Sequence, residues 1–448
     1  MENTNREKFG SKLGVIAAAA GSAVGLGNIY RFPIVAGNNG GGAFLLIYLL
    51  ILLFLGVSLV VAEFIIGRRA AKNAVGSFKK LAPKTAWPIV GFAGVITAFA
   101  IITFYSTVSG WTLDYICRSV FDNIRGDDLE AMNSNFNALI NSPWRPYVCQ
   151  AVFLVMTAVI IILGVKKGIE KGSKIMMPIL LIILLVLLVR ALTLNGSKEG
   201  LVFFLKPDFS KINENVIISA LGQVFFSLSI GMGTMITYGS YISKKDNLIS
   251  SAVSICFCDT MVAFIAGMII FPAAMAFGIT PTAGAGLVFN TLPMLFGQMH
   301  GGYFFCLIFF VLLAIASITS LISLFEVVVA YLVEEHHFRR RNATLLTLTV
   351  SIVLGIFVTM SLNEHSTLKI CGETLFDFLD MITANYFMTI GGLLVVLFVG
   401  WKMKKADAID ELSSGGTIQS RLNSLVYFVI KYVAPIAIAI IFVKKILE

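Results

Sequence analysis

The chain has 448 residues, of which 57% are hydrophobic and 13% charged, and its formal net charge is +9. A soluble globular protein has roughly 45–50% apolar and about 25% charged residues, whereas here apolar runs long enough to cross a bilayer recur from end to end. The composition therefore indicates a polytopic membrane protein and excludes a disordered chain, a nucleic-acid-binding protein and a disulfide-rich secreted fold.

Apolar spans bounded by turn signals predict eleven transmembrane helices. Their expected bounds, in chain order, are 13–37, 43–66, 88–118, 147–165, 173–194, 214–242, 247–277, 301–333, 343–362, 374–400 and 421–447. The predicted fold is an all-α polytopic membrane protein that forms a single domain over residues 1–448.

Lysine and arginine residues collect in alternate loops between these spans. The clusters follow the second, fourth, sixth, eighth and tenth spans, at 68–84, 166–174, 244–245, 339–341 and 402–405. The positive-inside rule places these loops and the N-terminus in the cytoplasm. Eleven spans then put the C-terminus outside the cell membrane, and we expect no cleavable signal peptide.

The cysteines and histidines do not form a pattern typical of a metal enzyme. Cys117 and Cys149 lie near the predicted outer face, and the sequence leaves open whether they form a disulfide. His336 and His337 are adjacent, so on a helix they point about 100° apart and cannot chelate one ion together. Zinc-type chemistry is therefore not expected.

Two of the predicted helices contain a pair of glycines near the middle. Helix one reads Gly-Leu-Gly at 25–27 and helix six reads Gly-Met-Gly at 231–233. Glycine costs about 1 kcal/mol relative to alanine inside a helix, and broken backbone at bilayer depth is tolerated only where it is buried or lines a cavity. One pair alone could simply allow close helix packing. Two pairs in matching positions, five spans apart, favour a transporter-type binding site.

Several side chains with oxygen atoms lie within the apolar spans. Asp259 lies in helix seven, where the alternative to a functional role is a structural carboxyl bonded to a neighbouring helix. Glu63 lies near the end of helix two and is expected to accept hydrogen bonds from backbone N–H groups. If those N–H groups come from a broken helix, this structural role of Glu63 is part of the site. Tyr105, Thr319 and Ser320 add hydroxyl groups. Such oxygen-rich sets suit a hard cation such as sodium and do not suit transition metals.

Four segments resemble the signatures of a known family. The first is Gly21-x-Ala23-Val24-Gly25-Leu26-Gly27-Asn28-x-x-Arg31-Phe32-Pro33, followed by Asn39-Gly40-Gly41-Gly42-Ala43-Phe44. The others are Lys167-Gly168-Ile169-Glu170-Lys171, Gly222-Gln223-Val224-Phe225-Phe226-Ser227-Leu228-Ser229 and a segment similar to an outer lid loop, Ala283-Gly284-Ala285-Gly286-Leu287-Val288-Phe289. From Arg6 to about Trp401 the chain resembles the neurotransmitter:sodium symporters, in particular bacterial eleven-helix amino-acid transporters with the leucine-transporter fold.

The resemblance implies two inverted repeats of five helices, with helices one and six broken. The first repeat would span 13–194 and the second 214–400, with helix eleven, 421–447, as an addition. The implied function is a sodium-coupled symporter that imports a neutral, hydrophobic or aromatic L-amino acid by alternating access, with no catalytic residues. The expected partners are the amino acid, two sodium ions and the lipid bilayer, without nucleic acid, and the oligomeric state is left open.

Carried over residue by residue, the family pattern assigns two sodium sites and one substrate pocket. The first sodium site would use Ala23, Asn28, Ser227 and Asp259 together with the substrate carboxylate. The second would use Gly21, Val24, Ala316, Thr319 and Ser320. The substrate pocket would comprise Ala23, Leu26, Gly27, Ile101, Tyr105, Phe226, Ser229, Met232, Ser320, Ser323 and Leu324.

The resemblance also implies an outer gate. Arg31, within the helix-one signature, and Asp380, at the outer end of helix ten, would form its ion pair. Phe226 would then act as a lid over the substrate.

A cytoplasmic latch is implied on the opposite side of the pocket. Arg6 and Glu334 would form it, with Ser240 and Tyr241 nearby. Glu334 stands where the family has aspartate, so Glu335 is an alternative partner for Arg6.

Helix seven departs from the pattern of the chloride-dependent members of this family. They have asparagine where Asp259 stands and serine where Ala263 stands. Two sodium ions and one substrate carboxylate leave one positive charge uncompensated, and an ionised Asp259 would cancel it. The resemblance, with this substitution, predicts transport that does not require chloride.

Two other classes of protein match part of the sequence. Asp377 and Asp380 form a D-x-x-D motif, as in magnesium-dependent prenyltransferase-type membrane enzymes, although a second acidic motif is missing. An ion channel would have rings of charge or a repeated carbonyl filter and would not need a pocket gated on two sides. Saturable counterflow of substrate distinguishes a carrier from a channel, and formation of a product identifies an enzyme.

Overall fold

The computed structural model describes residues 12–121, 129–276, 278, 287–297, 301–418 and 420–447. Arg6 and residues 283–286 of the expected lid loop lie outside these ranges. Within the ranges the chain is helical, apart from connecting loops and one short hairpin, so the predicted all-α membrane fold is confirmed.

We number the helices in chain order. They are α1 Lys12–Ala23, α2 Gly27–Asn38, α3 Gly42–Ala70, α4 Ala74–Leu81, α5 Pro88–Val120, α6 Leu129–Ile140, α7 Arg145–Ile162, α8 Val165–Leu192, α9 Ser197–Leu205, α10 Glu214–Ser227, α11 Thr234–Gly239, α12 Leu248–Ala276, α13 Leu292–Gly297, α14 Gly302–Glu335, α15 Arg340–Met360, α16 Leu375–Lys402, α17 Lys405–Leu412 and α18 421–447. Strands β1 Lys369–Ile370 and β2 Glu373–Thr374 form an antiparallel hairpin before α16. Helices α2, α3, α8, α16 and α18 each include a π-helical turn, and a 3-10 turn covers Phe209–Lys211.

Local sequence signals explain where several helices begin and end. Pro88 occupies the first turn of α5, where a missing N–H costs nothing. Asn213 caps α10 by accepting the Val216 N–H at 3.0 Å, which satisfies one of the donors that a helix start leaves unpaired. Helix α3 ends where Ala71 adopts a left-handed φ of 51°.

Among the described residues, nine helices are long and apolar enough to cross a bilayer: α3, α5, α7, α8, α12, α14, α15, α16 and α18. A tenth span consists of α1 and α2, which meet at an angle of 45°. The predicted helix six corresponds to α10 and α11, which are separated by residues 228–233 and are each too short to span alone. Every predicted span therefore coincides with helix, and two spans are interrupted near their middle.

The predicted start of the fifth span is wrong. Helix α8 begins at Val165 instead of 173, because the lysine-rich segment after Gly164 continues as its first turns. Gly164, with a φ of 88°, makes the turn from α7, and Lys174 pairs with Glu170 one turn earlier at 2.6 Å. Long lysine side chains carry their charge away from an apolar helix body, so these charges do not end the helix.

The core of the bundle lies around α5 and α14, which pack against each other. In their most apolar stretches 61% and 67% of the residues are buried inside the protein, compared with 22% for α8. Helix α8 therefore faces lipid over much of its surface. The two broken spans contact α14 through α1 and α11, so their interruptions lie against the most enclosed helix.

The six cysteines all fall within the described ranges and are free thiols. Cys117 is exposed and Cys149 is half-buried. The disulfide that the sequence left open is therefore not formed in this structure.

A short acidic helix, α17, connects distant parts of the chain. Its Glu411 pairs with Arg68 of α3 at 2.7 Å, and both side chains are almost fully buried. The Arg68 guanidinium also donates to the Asp246 carbonyl at 2.7 Å in the loop before α12. On the exposed side Asp407 pairs with Arg69 at 2.5 Å. Helix α17 was not predicted from the sequence, because a segment of eight residues, four of them charged, carries no apolar pattern long enough to cross a bilayer.

Replacing Glu411 with alanine should strongly destabilise the protein, because Arg68 would keep a buried charge without its partner. Breaking a buried ion pair in this way costs about 3–5 kcal/mol. Asp407→Ala is the matched control on the same helix, since its partner Arg69 is partly exposed and an exposed pair is worth about 0–1 kcal/mol. Thermal unfolding of the purified protein in detergent measures the stability of both variants. An equal loss of stability in the two would contradict a stabilising role of the buried Arg68–Glu411 pair.

Candidate functional site

The break in the first span brings backbone next to hydroxyl groups of two other helices. Between α1 and α2, a Cβ on Gly25 would lie 2.1 Å from Ser320 Oγ and 2.6 Å from Tyr105 Oη, so only glycine fits there. The Leu26 N–H donates to Tyr105 Oη at 2.8 Å, and the Gly25 N–H donates to Asn28 Oδ1 at 3.1 Å. These acceptors replace part of the helix hydrogen bonding that the break removes.

The break in the sixth span depends on backbone conformations that favour glycine. Ser229, Gly231 and Gly233 have φ values of 54°, 82° and 77°. Glu63 of α3 is fully buried beneath them, and its carboxylate accepts the N–H groups of Gly231 at 2.7 Å and Ile236 at 3.2 Å. The structure thus pairs this carboxylate with N–H groups that the interrupted helix leaves free.

Three of the residues assigned to the first sodium site meet between the two breaks. Asn28 Nδ2 donates to Asp259 Oδ1 at 2.7 Å and to Ser227 Oγ at 3.2 Å. Ser227 Oγ donates to the same Asp259 oxygen at 2.7 Å, while Tyr48 donates to the other one at 3.2 Å. All four side chains are buried, and the fourth assigned residue, Ala23, lines the adjoining cavity. Carboxylate, hydroxyl and amide oxygens are the ligand types that hard cations prefer.

The residues assigned to the second sodium site lie where α1 crosses α14. Thr319 Oγ1 donates to the Ala316 carbonyl at 2.9 Å and lies 3.4 Å from the Val24 carbonyl. A Cβ on Gly21 would lie 3.5 Å from Thr319 Cβ, so the end of α1 packs directly on this threonine. Ser320 Oγ donates to the Ser22 carbonyl at 3.2 Å. The crossing therefore gathers carbonyl and hydroxyl oxygens from two helices.

A small cavity lies between the breaks and helices α5 and α14. Most of the residues assigned to the substrate pocket line it: Ala23, Gly27, Ile101, Tyr105, Phe226, Ser229, Met232, Ser320 and Leu324. Ser22 and Gly25 also line it and were not assigned, although Gly25 stands in the helix-one signature.

Two residues assigned to the pocket, Leu26 and Ser323, are not among its lining residues. Leu26 is 3% exposed and belongs to the apolar core. Ser323 Oγ is hydrogen-bonded to Tyr238 Oη at 2.8 Å and donates to the Thr319 carbonyl at 3.2 Å. Ser323 lies one helical turn after Thr319, and this position alone did not reveal that its hydroxyl would be hydrogen-bonded to Tyr238.

The residues predicted to form the outer gate lie together. The Arg31 guanidinium is centred 4.8 Å from the Phe226 ring, and its Nε lies 3.9 Å from Asp380 Oδ1. Gln223 links this group to the first break, because it accepts from Arg31 Nη1 at 2.9 Å and donates to the Gly27 carbonyl at 2.8 Å. Gln223 was only part of a family motif in the sequence analysis, since an amide within an apolar helix does not reveal its partner.

Around the residues expected to form the cytoplasmic latch, the structure forms two separate carboxylate groupings. Glu334 accepts the Asn73 N–H at 2.8 Å, and Glu335 pairs with Lys79. Tyr241 donates to the buried Glu326 at 2.6 Å, and Arg340 pairs with that carboxylate at 2.5 Å. The sequence analysis missed Glu326 and Arg340. Arg6, the other half of the expected latch, is outside the described residues.

The sequence of this broken-helix bundle matches a family model almost from end to end. Residues 6–138 and 128–448 match the Sodium:neurotransmitter symporter family. The chain belongs to this family.

Similar proteins support the same assignment. The chain is 38% identical to the sodium-dependent transporter YhdH of Bacillus subtilis over 98% of its own length and 97% of that protein. It is 36% identical to a sodium-dependent transporter of Haemophilus influenzae, with 99% of each chain covered. The crystal structure of MhsT in complex with L-phenylalanine superposes with a TM-score of 0.92 at 42% identity, covering 98% of this chain and 99% of MhsT.

As a member of the sodium:neurotransmitter symporter family, the protein is a multi-pass, sodium-coupled membrane transporter and not an enzyme. The channel and prenyltransferase interpretations are therefore set aside. The D-x-x-D motif has other roles in this structure. Asp380 faces Arg31, and the Asp377 N–H donates to Thr374 Oγ1 at 3.1 Å as part of the cap of α16.

Replacing Glu63 with glutamine should destabilise the sixth-span break. An amide would direct its NH₂ group at one of the two backbone donors, and a buried donor left unpaired costs about 1–3 kcal/mol. Glu214→Gln is the control, since it makes the same change in an exposed pair with Lys444, worth at most about 1 kcal/mol. The temperature of thermal unfolding and the rate of sodium-dependent uptake should both fall in Glu63→Gln and stay at the wild-type level in Glu214→Gln. Wild-type stability of that variant would show that the carboxylate does not hold the break.

Proposed function

We propose that this transporter imports a neutral L-amino acid with a hydrophobic or aromatic side chain, driven by sodium, by alternating access. The observation that carries the proposal is the lining of the cavity. Among the described residues that line it there is no charged side chain, and Ile101, Phe226, Met232 and Leu324 form an apolar wall. Such a wall favours an uncharged, apolar side chain, because burying an unpaired charge there is costly.

The two breaks suit the two charged groups that every amino acid carries. Helix α2 begins at Gly27 beside the cavity, and the start of a helix favours a carboxylate. Tyr105 Oη already accepts the Leu26 N–H, so its own O–H remains a donor, which we assign to the substrate carboxylate. Backbone carbonyls at the interrupted ends of both spans would receive the ammonium.

The apolar end of the cavity supports a preference for large side chains. Met232 lies between two glycines with positive φ, and its flexible thioether can adapt to ligands of different shape. The related MhsT structure holds L-phenylalanine, which agrees with this preference. Ser323 is left out of the proposed contacts, because its hydroxyl bonds Tyr238.

Two sodium ions are proposed to drive the import. The first would bind among the Asn28, Ser227 and Asp259 oxygens, and a half-turn of the Asn28 amide would direct its oxygen to the ion. The second would bind at the crossing of α1 and α14, at Thr319. Each sodium that enters down 100 mV supplies about 2.3 kcal/mol. Two ions give about 4.6 kcal/mol, or roughly three decades of accumulation before any sodium gradient is counted.

Alternating access is proposed to use the groups on either side of the cavity. Arg31, Asp380 and Phe226 would close the outer side. Glu334 and Arg6 would close the cytoplasmic side, with the N-terminus in the cytoplasm and the C-terminus outside. The clusters of lysine and arginine in alternate loops agree with this orientation.

The direct test of the substrate class is a sodium-dependent binding series. We expect the purified protein to bind L-phenylalanine and L-leucine in sodium and to lose that binding when potassium replaces sodium. Glycine, L-proline and L-lysine should compete at least about tenfold less well, because a missing apolar contact or an unpaired charge costs at least about 1.4 kcal/mol. Competition by only those three amino acids would contradict the proposed class.

Transport should not depend on chloride, because Asp259 supplies the negative charge beside the sodium site. Sodium-driven uptake into proteoliposomes should be unchanged when gluconate replaces chloride on both sides. Asp259→Asn removes the charge but keeps a side chain of similar size, so it should abolish uptake or make uptake require chloride. Loss of wild-type uptake in chloride-free medium would overturn the charge argument, as would an asparagine variant that is fully active without chloride.

A further inference from the structure

The Gly231–Met232–Gly233 segment of the sixth-span break packs against glycines of two other helices. A Cβ on Gly391 of α16 would lie 2.4 Å from the Gly231 carbonyl oxygen. A Cβ on Gly94 of α5 would lie 3.1 Å from the Gly233 nitrogen and 3.2 Å from the Met232 carbonyl carbon. At both places a side chain would meet backbone. A methyl group at Gly391 would overlap the segment, and one at Gly94 would require the segment to shift by a few tenths of an ångström.

Other contacts prevent the segment from retreating. A Cβ on Gly231 itself would lie 2.2 Å from the Met388 carbonyl oxygen, so this residue is already pressed against α16. The Gly231 N–H is held by Glu63 at 2.7 Å. The position of Met232, which lines the substrate cavity, is therefore set by α3, α5 and α16.

These contacts have a direction relative to the cavity. Helix α16 supplies none of the described residues that line it, so a group added at Gly391 would push the segment away from α16 and towards the substrate. Helix α5 supplies Ile101, which lies seven residues after Gly94. Two turns of helix place both residues on one face of α5, so Gly94 lies on the cavity side of its helix.

We propose that Gly94 and Gly391 are specificity-determining positions, because the absence of a side chain at both lets the Gly-Met-Gly segment lie where it leaves space for large substrate side chains. This inference rests on the proposed function, because it assigns the size limit of the same pocket. The two glycines act through the backbone that carries Met232 and do not touch the substrate. A methyl group at either position displaces or strains the segment that carries Met232, and the largest substrates lose their space first.

The experiment compares Gly94→Ala and Gly391→Ala with wild type by competition of L-valine, L-leucine, L-phenylalanine and L-tryptophan against labelled L-leucine in sodium. Gly222→Ala is the matched control, because it also lies on the sixth span and its Cβ would meet only Asn385 Oδ1, at 3.8 Å. We expect the affinity for tryptophan relative to valine to fall about tenfold or more in both test variants, the range that excess volume in an apolar pocket produces. The control should keep the wild-type ratio.

A defect that is only structural would weaken the binding of all four amino acids together and leave the ratio of tryptophan to valine affinity unchanged. A change in the size limit would change that ratio. Met232→Ala placed in the Gly391→Ala background should restore tryptophan binding, because it removes the side chain that was pushed inwards. Gly94→Ala introduces the milder contact, so it is the variant to rely on if Gly391→Ala does not fold. A wild-type ratio of tryptophan to valine affinity in Gly94→Ala would overturn the inference. A wild-type protein that binds none of the series in sodium would instead refute the proposed function.

Discussion

Backbone groups that lose their helical partners inside a membrane must find other partners within the protein, and this requirement organises the whole site. Two spans are interrupted near their middle, so N–H and carbonyl groups are released where no lipid can pair with them. Glu63 accepts two of the released N–H groups at the sixth-span break, and Tyr105 accepts one at the first. Without these buried acceptors the breaks would carry a penalty of several kcal/mol for each unpaired group.

The same interrupted segments connect the proposed ion sites, the cavity and the proposed gate residues. Asn28 follows the first break and Ser227 precedes the second, and both bond Asp259. Gln223 reaches from the sixth span to the Gly27 carbonyl and to Arg31 at the lid. A cation bound near Asp259 would therefore rearrange residues that also shape the cavity and its cover. Coupling between ion and substrate needs such shared groups, because a ligand shifts a conformational equilibrium only by interacting differently with its two states.

The surrounding helices give the breaks a rigid frame. Helices α5 and α14 form the enclosed centre and supply Tyr105 and Thr319 to the two sides of the site. Helix α17 pairs with Arg68 of α3, which lies five residues beyond Glu63 on the same helix and also bonds the loop before α12. The carboxylate that supports the sixth-span break thus lies on a helix whose end is itself anchored by a buried ion pair.

The sequence by itself determined the membrane class, the positions of the spans and the two interruptions, because these follow from local hydrophobicity and from paired glycines. Asn28, Asp259 and Thr319 could also be predicted, since polar residues stand out within apolar spans and Asn28 belongs to the helix-one signature. Only the tertiary structure decided that Gln223 bridges Gly27 and Arg31. The hydrogen bond between Tyr238 and Ser323 and the ion pair between Glu411 and Arg68 were likewise decided by the tertiary structure. Arg68 and Glu411 are 343 positions apart, and no local period or propensity relates residues at that distance. Their pairing follows from how the spans pack, and packing is settled by shape and burial over the whole bundle.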